Sequence, residues 1–162
     1  MSDKILILVA TMSGAAELAA EEMADRIDAD GGAAAIRRME KADPSKLNSY
    51  RAVLICSSTY GKGDVPDNGK ALFEQLQAQR PDLTGLLYGV VALGDSIYPQ
   101  TFCFGGRKFD ELLSSLGAVR IGERLQHDSR GGDSPDRLAG EWVEDWYAQL
   151  NALETRDEKL DC

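Results

Sequence analysis

Residues 8–17 read Leu-Val-Ala-Thr-Met-Ser-Gly-Ala-Ala-Glu, and a change of pattern inside them decides the fold. The apolar run Ile5–Ala10 predicts a buried strand. From Ala15 the apolar positions recur at helical spacing (Leu18, Ala19, Met23, Ile27) until Gly31-Gly32, the kind of pair that ends a helix. Between strand and helix stand two hydroxyls, Thr11 and Ser13, with one glycine and two alanines. Small residues let backbone N–H groups approach a ligand. The helix aims its unpaired N–H groups and the positive end of its dipole at the same place. Such a turn suits a phosphate. Residues 11–16 contain no Lys or Arg, so amides and hydroxyls alone would hold it. The same residues also suit a tight turn with Thr11 or Ser13 as helix N-cap, and this stretch alone does not separate the two readings.

Outward from that turn, strands and helices alternate. Strands are predicted over 4–10, 33–39, 51–57, 86–93 and 118–125; the second is the least apolar and belongs near a sheet edge. Helices are predicted over 15–29, 68–79, 107–116 and from Pro135 onward, the last with Leu138, Trp142, Trp146 and Leu150 on one face. Asp43-Pro44 marks a turn, and the charged tail 153–162 is expected to fray. Five alternations predict an α/β doubly wound, five-stranded parallel sheet of order 2-1-3-4-5 with helices on both faces. The chain reads as a single domain over 1–162 with its core in 4–150. In such sheets ligands bind beyond the carboxyl ends of the strands, where the loops 11–16, 57–68, 94–106 and 126–134 lie.

Composition narrows the function. A net charge of −9 argues against nucleic acid and is compatible with either a basic protein partner or simple solubility. No apolar run approaches the ~20 residues of a membrane span, and no basic segment precedes the first apolar stretch, so neither a span nor a signal peptide is expected. Three cysteines, Cys56, Cys103 and Cys162, without CxxC spacing suit a reducing, cytoplasmic setting. There is no GxxxxGK[ST] for nucleotide hydrolysis, and Gly61-x-Gly63 lacks the third glycine of a dinucleotide fingerprint. The lone histidine, His127, has no evident partners for a metal site or a triad. A phospho-acceptor domain of this strand order needs an acidic pair at the end of strand one, and Ala10-Thr11-Met12 denies it.

Two loops carry the remaining signal. Ser57-Ser58-Thr59-Tyr60-Gly61-Lys62-Gly63-Asp64-Val65-Pro66-Asp67-Asn68 and Leu93-Gly94-Asp95-Ser96-Ile97-Tyr98-Pro99-Gln100-Thr101-Phe102-Cys103 each place a tyrosine just past a buried strand. Two aromatics across a gap could sandwich a flat heterocycle, and neighbouring glycines leave amides free to reach its heteroatoms. With a phosphate loop at the far end, the ligand is a planar ring joined to a phosphate by a chain, the shape of FMN.

These three stretches, in this order, resemble the flavodoxins, above all the short bacterial flavodoxins of the MioC type. They are also similar to the FMN domains of sulfite reductase and cytochrome P450 reductase. The likeness covers roughly residues 4–150, with no long insertion in the fifth-strand region. It implies that Thr11, Met12, Ser13, Gly14, Ala15 and Ala16 hold the FMN phosphate. It places Tyr60 against one ring face and Tyr98 against the other. Ser58, Thr59, Gly61, Gly63, Leu93, Gly94 and Asp95 are expected at the ring or ribityl chain, with Phe102 and Cys103 bordering the pocket. Asp128 falls where reductase-type domains place an acid near the flavin. Ala15 departs from relatives that carry Thr or Asn, which implies a weaker phosphate site. The implied function is electron transfer on non-covalent FMN, without an enzymatic activity of its own. The implied donor is a ferredoxin/flavodoxin–NADP reductase and the implied acceptor another redox enzyme, the carrier being a monomer. The rival reading is an FMN-dependent quinone or nitro reductase of the same fold, for which no extra loop offers a substrate pocket.

Overall fold

The apolar run before the first turn is buried along its whole length in the computed structural model, which describes residues 3–11, 14–60 and 63–160, with side chains to 156. It forms β1 (Ile5–Ala10). β1 pairs in parallel with β2 (Ala34–Arg38) and β3 (Ala52–Ser57), and β3 with β4 (Leu87–Gly94). β4 pairs on its other side with two short strands, β5 (Val119–Arg120) and β6 (Leu125–Asp128). The order is therefore β2-β1-β3-β4-β5, as the alternation predicts, with β6 continuing the fifth lane.

Among the described residues four α-helices cover the sheet: α1 (Ala15–Ala29), α2 (Asp67–Gln79), α3 (Phe104–Ser115) and α4 (Pro135–Leu160). Strand periodicity divides the core. Ile5, Ile7 and Val9 face α1 and α4 and pack with Met23, Ile27, Trp146 and Leu150. Leu6, Leu8 and Ala10 face α2 and α3 and pack with Leu72, Leu76, Phe109 and Leu113. Each fully buried large aliphatic side chain stabilises by about 1.5–3 kcal/mol, which is why two-sided burial shows as an unbroken apolar run. β2 is the half-exposed edge strand.

Several boundaries differ from expectation for physical reasons. The predicted fifth strand, 118–125, is broken at 121–124, and Gln126–Asp128, read as loop, is strand. Gly122 lies in the left-handed region at φ +68 and turns the chain. The break puts Arg120 Nη1 and Arg124 Nη1 at 2.5 and 2.7 Å from one carboxylate oxygen of buried Asp110. The Tyr88 hydroxyl donates to that carboxylate's other oxygen at 2.6 Å. α3 begins at Phe104 rather than 107. Gly105 and Gly106 are helical, and a side chain at the first would overlap the Ser58 carbonyl oxygen, while one at the second would lie 2.5 Å from Ala92 Cβ. α4 continues past residue 152 where fraying is expected; Arg51 holds Glu154 through Nε at 2.7 Å and Nη2 at 2.6 Å. The Asp43-Pro44 turn opens a 3-10 segment, Pro44–Ser49, with Asp43 Oδ1 accepting the Ser45 N–H at 2.9 Å.

Candidate functional site

The carboxyl ends of β1, β3, β4 and β6 meet at one edge of the molecule, and their loops build the site. After β1, Gly14 occupies the N-cap of α1 at φ +89 with no side-chain cap. A side chain at that φ strains the backbone, so glycine suits the position. The Thr11 hydroxyl accepts the Gly14 N–H at 3.0 Å, so it orders the approach to the helix without capping its first turn. The N–H groups of Ala15, Ala16 and Glu17 have no partner within the helix by position. Met12 and Ser13 lie outside the described residues.

Ala15 lines a cleft of ≈ 300 Å³ together with Ser58, Thr59, Leu93, Gly94 and Asp95. A second cleft of ≈ 250 Å³ is lined by Thr59, Asp95, Tyr98 and Thr101. Thr59 and Asp95 belong to both, so the two are halves of one groove. The groove is sewn by the Thr59 hydroxyl, which donates to Leu93 O at 2.9 Å and accepts the Gly105 N–H at 3.0 Å. Gly94 is glycine for lack of room: a Cβ would stand 2.6 Å from Cys103 N.

Both tyrosines are large aromatics half in water, Tyr60 at 43% and Tyr98 at 54% exposed. Their backbones are pinned. Tyr60 N–H donates to Asp64 O at 2.7 Å and Asp64 N–H returns to Tyr60 O at 2.8 Å, with Gly63 at φ +105 between them. Tyr98 N–H donates to Asp95 O and Thr101 N–H to Tyr98 O, both at 3.1 Å. Such anchoring lets the rings meet a flat ligand at little backbone entropy cost, although the Lys70 ammonium already stands 5.9 Å from the Tyr60 ring centroid. Gly61 lies outside the described residues.

The acids of the site tie loops together. Asp128 Oδ1 accepts the N–H groups of Ser96 at 3.1 Å and Arg130 at 3.0 Å. Asp95 Oδ1 accepts Ile97 N–H at 2.9 Å and Arg130 Nε–H at 2.5 Å. Ser96 above all holds the Asp128 carboxyl below its ordinary range, and the Ile97 amide does the same for Asp95. Asp128 thus clasps the third loop to the fourth and lines neither half of the groove. Cys103 is fully buried, in the left-handed region at φ +59, with its thiol on Ala92 O at 3.4 Å. Burial pushes that thiol up to about 12, which makes it inert at neutral pH, and it too lies behind the groove wall. Phe102 is half-buried against the α2–α3 core.

Four groove residues escape sequence reasoning: His127, Ser129, Asp133 and Pro135. Their signal was position alone, at the fourth strand-end loop. His127 is buried, with Nε2 at 2.9 Å from Asp133 O. Among the described residues no cluster could hold a metal ion.

The donor set fits FMN in kind. Uncapped helix amides stand at one end, backbone groups and small residues line the middle, and exposed Tyr98 lines the other end, while Tyr60, exposed just past β3, lines neither half.

Comparison with known proteins agrees. The family model described as Flavodoxin matches residues 7–142. Flavodoxin YqcA of Escherichia coli (strain K12) is 39% identical over 150 residues, covering 91% of this chain and 99% of the relative. Protein MioC of the same strain is 34% identical over 150 residues, covering 93% and 99%. The solved structure of a cysteine-to-serine mutant of flavodoxin from Pseudomonas aeruginosa superposes with a TM-score of 0.81 at 31% identity, over 91% of this chain and 99% of that one.

Proposed function

The chain belongs to the flavodoxin family, whose members transfer electrons on FMN, and on that premise we propose that it carries electrons between an NADPH-linked reductase and acceptor redox enzymes. The observation that carries this reading is the groove itself: uncapped α1 amides, a lining of backbone and small residues, and exposed tyrosines at the ends of β3 and β4.

Bound FMN supplies reversible uptake of one or two electrons. The protein binds and orients. Thr11, Gly14, Ala15 and Ala16, with Met12 and Ser13, hold the phosphate. The positive end of the α1 dipole offsets its charge. Ser58, Thr59, Leu93, Gly94 and Asp95 would take the ribityl chain and one ring edge, with Gly61 and Gly63 contributing from the same loop. Tyr60 and Tyr98 would cover the ring faces and exclude water, while their exposed edges leave room for a partner. Asp128, Phe102 and Cys103 support the groove wall from behind.

The partner is a basic protein surface. Asp64 and Asp67 stand at the rim, their side chains 60% and 70% exposed, in a chain of net charge −9. Charge of this sign near the ring steers a cationic reductase into contact. A cytoplasmic setting suits the two buried free thiols, Cys56 and Cys103. Among the described residues no helix is long and apolar enough to cross a membrane.

The test is direct. Purified protein should be yellow with a flavin spectrum, and the resin-stripped apoprotein should quench FMN fluorescence at a one-to-one ratio. It should then pass electrons from NADPH and a ferredoxin/flavodoxin–NADP reductase to a haem acceptor. A colourless protein whose apo form leaves FMN fluorescence unchanged would refute the reading.

A further inference from the structure

One side chain in the first turn of α2 reaches the phosphate end of the groove. Asn68 accepts the Thr11 N–H through Oδ1 at 2.9 Å and donates through Nδ2 to Val9 O at 3.0 Å. A single amide therefore closes on both sides of Ala10, the last residue of β1. The same nitrogen donates its second hydrogen to Glu40 Oε2 at 2.9 Å. Arg38 holds Glu40 in turn through Nε at 2.7 Å, and it also pairs with Glu17 in the first turn of α1. Thr11, fixed by its own N–H, offers its hydroxyl oxygen to Gly14 N–H at 3.0 Å. The contacts run Glu17–Arg38–Glu40–Asn68–Thr11–Gly14, so they bracket the start of α1 from both sides. None of them touches the residues that line the ring half of the groove.

The neighbouring glycine shows how closely α2 is pressed to that place. A Cβ on Gly69 would stand 2.8 Å from Val65 Cγ1 and 3.0 Å from Ala10 Cβ. This close approach brings a short side chain within reach of β1. Asparagine also fits by chemistry. Its amide both accepts and donates in one plane, whereas aspartate lacks the donor and serine lacks the reach.

We propose that Asn68 is a positioning residue for the phosphate of the bound flavin, and through it sets the preference for FMN over riboflavin. The inference rests on the FMN reading above. Asn68 holds Thr11, and through Thr11 Gly14, so that the free N–H groups opening α1 converge on one point. Riboflavin has the same ring and ribityl chain but no phosphate, so it makes no demand on that convergence. Loss of the clamp therefore separates the two ligands.

The experiment titrates apoprotein with FMN and with riboflavin by fluorescence quenching, for the parent, Asn68→Ala and Asn68→Gln. The glutamine variant keeps the polar groups and the fold but moves the amide by one methylene. With the bonds to Val9 and Thr11 lost, FMN should bind about 10- to 100-fold more weakly in Asn68→Ala, while riboflavin changes by less than about twofold. Asn68→Gln should show the same split, and the phosphorus resonance of its bound FMN should shift from the parent's. Equal weakening of both ligands would make Asn68 a structural residue only and overturn the inference. So would unchanged FMN affinity, or an unmoved phosphorus resonance in Asn68→Gln. A parent that binds neither flavin would instead bring down the FMN reading, and the inference with it.

Discussion

Replacing Thr59 by valine removes one oxygen and keeps the shape, so it isolates the stitch that closes the groove. Two hydrogen bonds go, to Leu93 O at 2.9 Å and from Gly105 N at 3.0 Å. Each contributes about 0.5–1.5 kcal/mol net. The Gly105 N–H is the costlier loss. It lies in the first turn of α3, where no helical acceptor exists, in a residue packed against the Ser58 carbonyl. Leaving it unpaired costs about 1–3 kcal/mol more if water does not reach it. Part of this overlaps with the lost bond, so the expected total is about 2–3 kcal/mol. For a domain of this size that is a fall of roughly 4–12 °C in Tm, readable by circular dichroism on the apoprotein. Because Thr59 lines both halves of the groove, FMN affinity should also fall, by up to roughly a hundredfold. Thr59→Ser keeps the hydroxyl and should stay within about 1 kcal/mol of the parent. A valine variant that melts with the parent and binds FMN equally would refute the idea that this hydroxyl holds the loops together.

Other outcomes follow from the same geometry. Tyr98→Ala should weaken FMN about 5- to 150-fold, the worth of about 1–3 kcal/mol in lost stacking and burial; an unchanged dissociation constant would remove Tyr98 from the site. The carboxyls of Asp95 and Asp128 are held below their ordinary range, so their ties are complete above it and are lost as pH falls through the lowered values. FMN should therefore be released below about pH 4, and Asp128→Asn should weaken binding at neutral pH while flattening that acid step; an identical acid profile in parent and variant would count against it. Asp67→Lys should slow electron uptake from a basic reductase at low salt and converge with the parent at high salt, once its FMN affinity is shown to be unchanged. Parent rates indifferent to salt would leave shape and apolar contact as the basis of partner choice.

The strand order was legible because two-sided burial leaves unbroken apolar runs, and β1, β3 and β4 are such runs. The edge position of β2 showed in its charges, Arg37 and Arg38. What escaped notice depends on contacts distant in sequence. The break at 121–124 goes with a contact of Asp110 to two arginines, 10 and 14 residues away. Gly105 and Gly106 fell within the expected loop 94–106, yet they are small because α3 presses on Ser58 and Ala92. The site divided in the same way. Tyr60, Tyr98 and the glycines stand out by residue type in loops at strand ends. His127 and Asn68 do not, because an imidazole or an amide signals nothing until its partners are known. Asp128 was expected as an acid near the flavin but lines neither half of the groove, and its work as a clasp between loops is visible only with Ser96 and Arg130 in place.

On the proposed FMN reading, a chain of net charge −9 with no basic side chain over 11–16 would hold the phosphate by geometry, not by charge. Nearby cations are engaged elsewhere: Arg38 with Glu17 and Glu40, Lys70 with Asp67, Lys108 with Asp64, Arg130 with Asp95. Among the described residues, the phosphate would be left to amides, the Thr11 hydroxyl and a helix dipole, whose strength depends on close, fixed approach. Rigid support then matters more than added charge, which gives Asn68, Thr59 and Gly14 their weight. Exposed acids at the rim act over longer range and are screened within about 8 Å at physiological ionic strength, whereas short contacts inside the groove are screened far less. The two tasks of the site are therefore separable by salt: partner docking should lose its charge dependence at concentrations where FMN stays bound.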